Sequence, residues 1–137
     1  MRLLWALDHG LRSISKRMQK RLGVTAPQRL ALRLVGRQSG MTPSQLAALL
    51  HLDRGTLTGI LERLELQSLI TRRPHPEDRR SVLLSLTRPG KRLDREVEGS
   101  VEECIRRALE SLPRAKVEAA REVLERIVLE VERTAAP

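Results

Sequence analysis

The sequence predicts a mainly helical (α+β) protein of about six helices with one two-stranded β-hairpin. Apolar residues recur every three or four positions through most of the 137 residues, the spacing of amphipathic helices. Helix-capping patterns separate these stretches, and only Ser81 to Leu86 alternates as a strand does. A chain of this length buries one core, so we expect residues 1–137 to form a single domain.

The first predicted helix has one narrow apolar seam and a basic remainder. Gly23 follows its last turn, behind Lys20 and Arg21. This order suits a helix end, because glycine tolerates left-handed backbone and cations favour the negative pole of the helix. The apolar seam consists of Leu4, Leu7, Leu11, Ile14 and Met18.

Capping residues mark the starts of the next three helices. Thr25 with Gln28, and Thr42 with Gln45, have the spacing of a capping box, and Asp53 is a third cap. We expect these helices to end near residues 37, 50 and 66. Because two short capped helices follow each other so closely, the pattern is typical of a helix-turn-helix.

The fourth helix has two contrasting faces. Its apolar residues at i, i+3, i+4 and i+7 predict an inward stripe of Leu57, Ile60, Leu61 and Leu64. The opposite face is small, hydroxylic and basic, with side chains able to bond phosphates or base edges. That face comprises Arg54, Thr56, Thr58, Gly59 and Arg63.

A β-hairpin is predicted next. The first strand should run from Ile70 to Arg73 and stop there, since the prolines that follow interrupt a strand. The loop is expected at 74–80, and Ser81 to Leu86 forms the second strand.

Two helices complete the prediction. A long one should open at Thr87 and reach about Leu109, and another should follow Pro113. The apolar seams at the two ends of the chain have no predicted cover, so we expect a twofold dimer. Its interface residues would be Leu4, Leu7, Leu11, Ile14, Leu124, Ile127, Val128 and Val131.

The charge distribution points to a polyanionic partner. The chain has 26 Lys and Arg against 17 Asp and Glu, a net charge of +9. Residues 1–40 carry nine of the cations and one acid, whereas 92–137 carry nine cations and eleven acids. The upstream part is therefore the candidate for binding phosphates.

Several classes of protein are excluded by composition. Cys104 is the only cysteine, which rules out an intrachain disulfide and multi-cysteine metal sites, and the histidines have no partner at metal-ligand spacing. Trp5 is the only aromatic residue, so there is no stacking platform for single strands. No catalytic constellation and no apolar run of ~20 residues occurs. We expect a cytoplasmic protein that is not an enzyme and has no cofactor, metal or membrane span.

Three stretches together resemble the MarR family of bacterial transcription regulators. They are Met41 to Ala47, Leu52 to Thr58 and Pro74 to Thr87. The most specific mark is the spacing of Asp78, Arg80, Leu86 and Thr87. The order of the outer helices is also similar, so the resemblance covers the whole chain.

The resemblance implies a homodimeric winged helix-turn-helix, dimerised through its N- and C-terminal helices. The N-terminal dimerisation helix would be 1–24, the DNA-binding lobe 25–91 and the C-terminal dimerisation helices 92–137. The fourth helix would lie in the major groove, Arg79 at the wing tip would enter a minor groove, and Asp78 would pair with Arg80. The implied DNA-binding residues are Thr42, Ser44, Gln45, Arg54, Gly55, Thr56, Thr58, Gly59, Arg63, Arg72, Arg73 and Arg79.

Two positions depart from the family's pattern. Gly59 stands where many members carry a basic residue, which removes one contact to DNA. Ser68 stands where members usually have glycine. If its backbone is left-handed, Ser68 carries roughly 1 kcal/mol of strain.

The resemblance also implies partners. We expect double-stranded DNA with a near-palindromic operator, its half-sites roughly 10 bp apart, and repression relieved by a small, anionic, lipophilic effector. Two alternatives stay open: a nonspecific architectural DNA-binding protein, and a basic helix at 2–22 lying on anionic lipid. Cys104 is expected to pack as a small apolar residue rather than act in redox sensing.

Overall fold

The computed structural model describes residues 1–78, 80–95 and 98–135. The contacts within the chain divide it into two compact units, Met1–Val101 and Glu102–Pro137, which are described separately below.

The first unit contains five helices and the β-hairpin. In chain order the elements are α1 (Arg2–Leu22), α2 (Ala26–Arg37), α3 (Pro43–Leu50), α4 (Arg54–Leu66), β1 (Ile70–Pro74), β2 (Val82–Leu86) and α5 (Arg88–Asp94). The predicted caps are confirmed. Thr25 and Thr42 each form a complete capping box, Asp53 caps α4, and Gly23 ends α1 with a φ of 74°.

The core of the first unit lies where α2, α3 and α4 meet the hairpin. Leu57, Leu61 and Leu64 are buried as predicted, while Ile60 is only partly buried at the edge of the core. Short capped helices fix this arrangement because each buries a single apolar face. The other core residues are Val24, Ala31, Leu32, Val35, Met41, Leu46, Ala47, Ile70 and Leu84.

The hairpin is longer at its first strand than predicted. β1 includes Pro74, which pairs with Val82 in the antiparallel register, so the expected stop at Arg73 is wrong. The amides of Thr87 and His75 donate across the register to Leu69 and Ser81, which makes those pairs the hydrogen-bonded ones. Pro74 lies between such pairs, and its missing N–H therefore removes no bond from the ladder.

The prediction of one long helix from Thr87 to Leu109 is also wrong, because two separate helices occupy this stretch. α5 ends at Asp94, Arg95 is extended, and α6 begins only at Val101. The carbonyls at the C-terminal end of α5 accept hydrogen bonds from arginine side chains of α2 instead of from the amides of a further helical turn. Arg29, which is 1% exposed, donates to the carbonyls of Leu93 and Arg95.

The second unit is built from α6 (Val101–Glu110) and α7 (Arg114–Ala135). Neither helix has a buried residue among those the structure describes. Ion pairs at i,i+4 spacing decorate the polar side, as in Arg114 with Glu118 and Arg121 with Glu125. The apolar stripe of α7 is exposed, and an open groove along it is lined by Ile127 and Val131.

Of the helices described, none combines the length and the hydropathy that crossing a membrane requires.

Candidate nucleic-acid interface

The start of α3 is capped by neutral groups. The backbone amide of Gln45 donates to Thr42 Oγ1 at 3.2 Å, and the backbone amide of Thr42 donates to Gln45 Oε1 at 2.8 Å. Ser44 and Gln45 are exposed beside this box. The positive pole of α3 therefore carries no compensating charge, and its surroundings suit an anionic group.

The start of α4 is capped by a carboxylate. Asp53 Oδ1 accepts from the Thr56 amide at 2.9 Å, and Asp53 Oδ2 accepts from Thr56 Oγ1 at 2.5 Å. Asp53, Arg54, Gly55 and Thr56 are all exposed. The hydrogen bonds from Thr56 hold the pKa of Asp53 below its ordinary value of 3.8, so the Asp53 carboxylate is ionised at neutral pH.

A cleft between α3, α4 and β1 brings four of the predicted DNA-binding residues together. Ser44, Arg54, Thr58 and Arg72 line it. Thr58 Oγ1 donates to the carbonyl of Arg54 at 2.7 Å. The cleft thus combines two guanidinium groups with two hydroxyl groups at the surface of the helix-turn-helix.

Arg72 is tied to the fourth helix by an ion pair that the sequence did not predict. Its Nη2 lies 2.9 Å from Glu65 Oε2, and both side chains are about one-third exposed, at 32% and 34%. The pair neutralises part of the positive charge that Arg72 would offer to a phosphate. Glu65 precedes Arg72 by seven residues, and a turn separates them. Spacing in the sequence therefore does not predict that the two side chains meet.

Two predicted residues lie apart from this cleft. Arg73 alternates to the other face of β1 and lines a groove with Ser85, Lys91 and Asp94. Arg63 lies further along α4 and lines a groove with residues of α1 and α2.

The two glycines of α4 differ in their surroundings. A Cβ at Gly55 would lie 3.2 Å from Asp53 Oδ1, so the absence of a side chain there leaves room for the capping carboxylate. A Cβ at Gly59 would meet nothing within 4 Å, so this position has space for a longer side chain.

The loop at the tip of the wing is held by hydrogen bonds from backbone amides. Asp78 Oδ1 accepts from the Arg80 amide at 2.9 Å, and the Ser81 amide donates to the Asp78 carbonyl at 3.0 Å. His75 Nδ1 accepts from the amide of Asp78 at 3.2 Å. The contact between Asp78 and Arg80 is therefore made to the backbone of Arg80. Arg79 lies outside the described residues.

Ser68 has the left-handed backbone anticipated from its position, with a φ of 55°. The amides of Ser68 and Leu69 return to the carbonyls of Glu65 and Leu64, which is the Schellman arrangement that ends α4. Thr87 Oγ1 donates to the Ser68 carbonyl at 2.6 Å and fixes the start of the hairpin.

The predicted dimerisation residues lie at the surface of their units. On α1, Leu4 and Leu7 are exposed, while Leu11 and Ile14 are half-buried. On α7, all four predicted residues are exposed, namely Leu124, Ile127, Val128 and Val131. Cys104 is exposed on α6 in the single chain.

Within the described residues, no group of three His, Cys, Asp or Glu side chains is placed to hold a metal ion.

Comparison with known protein families identifies the central part of the chain. The model of the MarR family matches residues 24–82, which run from just after α1 to the first residue of β2.

Two curated relatives are transcriptional regulators of Bacillus subtilis (strain 168). The organic hydroperoxide resistance transcriptional regulator is 43% identical over 88 residues, which are 64% of this chain and 60% of that protein. The HTH-type regulator YfiV is 30% identical over 115 residues, 84% of this chain and 71% of that protein. The match to the first relative spans less than two-thirds of its length.

Solved structures match over nearly the whole chain. The transcriptional regulator SlyA has a TM-score of 0.80 at 25% identity and covers 97% of this chain and 94% of its own. MepR of S. aureus, solved in a complex with DNA, has a TM-score of 0.78 at 21% identity, with coverages of 94% and 95%. The second likeness shows a shared fold.

Proposed function

The chain belongs to the MarR family, whose members are transcription regulators rather than enzymes, and from that premise we propose that it binds double-stranded DNA sequence-specifically as a homodimer. The observation that carries the proposal is the cleft where Ser44, Arg54, Thr58 and Arg72 meet on the exposed side of the helix-turn-helix. Guanidinium and hydroxyl groups are those that proteins use to contact phosphates and base edges.

The arrangement of α3 and α4 supports a major-groove position for α4. The inward stripe of α4 is committed to the core, which leaves its N-terminal residues exposed at the surface. In helix-turn-helix proteins the N-terminal residues of the second helix contact base edges. The neutral cap of α3 beside it is suited to a backbone phosphate.

The homodimer is supported by apolar residues that their own unit does not bury. Leu124 and Val131 of α7 are 49% and 61% exposed, and Leu7 of α1 is 52% exposed. Apolar side chains in such rows are typical of surfaces that another chain covers. A twofold dimer would present two copies of α4 to successive major grooves, so the operator would be a near-palindrome with half-sites roughly 10 bp apart.

We extend the proposal to regulation in the cytoplasm. The dimer occupies an operator and represses transcription, and a small, anionic, lipophilic effector releases it. Release requires the effector to bind more tightly to a form of the dimer whose spacing does not fit the duplex. An aliphatic pocket with an arginine would suit such a ligand, since Trp5 is the only aromatic residue of the chain.

Selection from a random duplex library, followed by salt titrations, tests the proposal. We expect the wild-type protein to prefer a selected inverted repeat over a scrambled duplex by at least 10³-fold at moderate salt. Both affinities should fall as salt rises, since phosphates contribute to each. Equal affinities for the two duplexes would contradict the proposal and favour a nonspecific architectural protein.

A further inference from the structure

The hydroxyl hydrogens of both threonines on the exposed side of α4 are committed within the protein. Thr56 Oγ1 is bonded to the Asp53 carboxylate and Thr58 Oγ1 to the Arg54 carbonyl. A carboxylate and a carbonyl accept hydrogen bonds and do not donate them, so each threonine must be the donor. The lone pairs of both hydroxyl oxygens remain available, and toward a ligand these groups are acceptors.

Because of Asp53, the first turn of α4 presents mainly hydrogen-bond acceptors to a ligand. Its two oxygens receive the amide and the hydroxyl of Thr56, and the side chain is exposed, so a ligand can reach the lone pairs that these bonds leave over. Gly55 has no side chain to crowd the carboxylate, since a Cβ there would lie 3.2 Å from Asp53 Oδ1. A phosphate brought here would meet a carboxylate in place of free amides, and the two negative charges would repel each other.

The two threonines differ in what surrounds them. Thr58 lines the cleft with Arg54 and Arg72, whose guanidinium groups supply donors that attract an anion. Thr56 shares its hydrogen bonds with a carboxylate. The pair of Asp53 and Thr56 is therefore the part of the surface that favours a neutral hydrogen-bond donor.

On a duplex that donor is an exocyclic amino group. In the major groove adenine presents N6–H₂ and cytosine presents N4–H₂, whereas guanine O6 and thymine O4 are acceptors. We propose that Asp53 and Thr56 together accept a hydrogen bond from one exocyclic amino group in each half-site, and that they select against guanine and thymine at that position. This inference rests on the proposed function, since it needs a specific duplex to act on.

The test removes single amino groups from the selected duplex. Each adenine is replaced in turn by purine, which lacks the N6 amino group, and each cytosine by 2-pyrimidinone, which lacks the N4 amino group. We expect one position in each half-site to lose roughly five- to tenfold in wild-type affinity through this contact. Whether that position holds purine or 2-pyrimidinone identifies the base.

Matched variants separate this contact from weakened base pairing. Thr56→Ser keeps the hydroxyl and should keep the penalty at that position, whereas Thr56→Val removes one of the two acceptors and should reduce the penalty there while leaving all other positions unchanged. Asp53→Asn keeps a capping oxygen but offers a donor to Thr56 Oγ1, which frees the hydroxyl hydrogen. That variant should therefore lose the preference for the amino group while thermal unfolding shows an intact fold.

The outcomes are distinguishable. If the wild type selects a duplex but Thr56→Val and Asp53→Asn retain every penalty, the inference is overturned and the proposed function stands. If the wild type shows no preference between duplexes, both are overturned.

Discussion

Arg72 on β1 and Glu65 on α4 form an ion pair, with 2.9 Å between Nη2 and Oε2. The pair joins the wing to the helix proposed to lie in the major groove. It also occupies an arginine that would otherwise be available to a phosphate, so its strength influences how much positive charge the protein presents to DNA.

The Glu65→Gln variant should bind DNA more tightly than the wild type. The change removes a negative charge and releases Arg72, so we expect a several-fold higher affinity and a salt dependence steeper by about one unit of slope. Fluorescence anisotropy titrations between low and moderate salt measure both quantities.

Glu62→Gln is the matched control for that experiment. Glu62 and Glu65 line the same exposed groove of α4, but the ion pair is made by Glu65. If the two variants gain affinity equally and with the same salt slope, the gain comes from lost repulsion alone, and the release of Arg72 is contradicted.

Gly59 offers a position at which affinity can be increased without loss of packing. A Cβ there would meet no neighbour within 4 Å. Gly59→Ala should stabilise the protein by about 0.5–1 kcal/mol, because glycine disfavours a helix interior. Gly59→Lys should bring a comparable gain and also raise DNA affinity with a steeper salt slope. Equal DNA binding by the two variants would show that position 59 does not face the duplex.

Relief of the left-handed backbone at Ser68 should stabilise the fold. Its φ of 55° is costly for a residue with a Cβ, so Ser68→Gly is expected to raise the free energy of unfolding by about 0.5–1 kcal/mol. Urea denaturation provides the measurement. Ser68→Ala removes the hydroxyl but retains the strain, and a gain as large in that variant would point to a different cause.

Much of this fold follows from local sequence, as the caps demonstrate. Thr25 and Thr42 stand three residues before a glutamine, and both form the boxes that this spacing predicts. The extent of β1 was not predictable, because a strand accepts proline only where the register requires no hydrogen bond from its nitrogen. The structure shows that register, in which Pro74 pairs with Val82.

The candidate site was predictable in its residue types but not in its pairings. Thr56 and Thr58 were identified from their position on a capped helix. Their role as acceptors depends on hydrogen-bond partners that only the structure supplies. The end of helical structure after α5 was not predictable for a related reason. The carbonyls there accept hydrogen bonds from Arg29, which is more than sixty residues away in the chain.

Arg29 should be indispensable for the junction after α5. Lysine keeps the buried charge but lacks the fork that reaches two carbonyls, so Arg29→Lys is expected to cost about 2 kcal/mol of stability. Arg37→Lys, at the exposed end of the same helix, should change stability by less than about 0.5 kcal/mol. An unfolding midpoint for Arg29→Lys equal to that of the wild type would refute the role given to this guanidinium.

We propose that two copies of this chain together recognise one DNA sequence. Sedimentation velocity of the protein with a labelled, selected duplex tests it directly, because the mass of the complex counts the protomers. We expect two protomers on each inverted repeat and no defined complex on a scrambled duplex of equal length at the same salt. A single protomer per repeat, or the same complex on both duplexes, would contradict it.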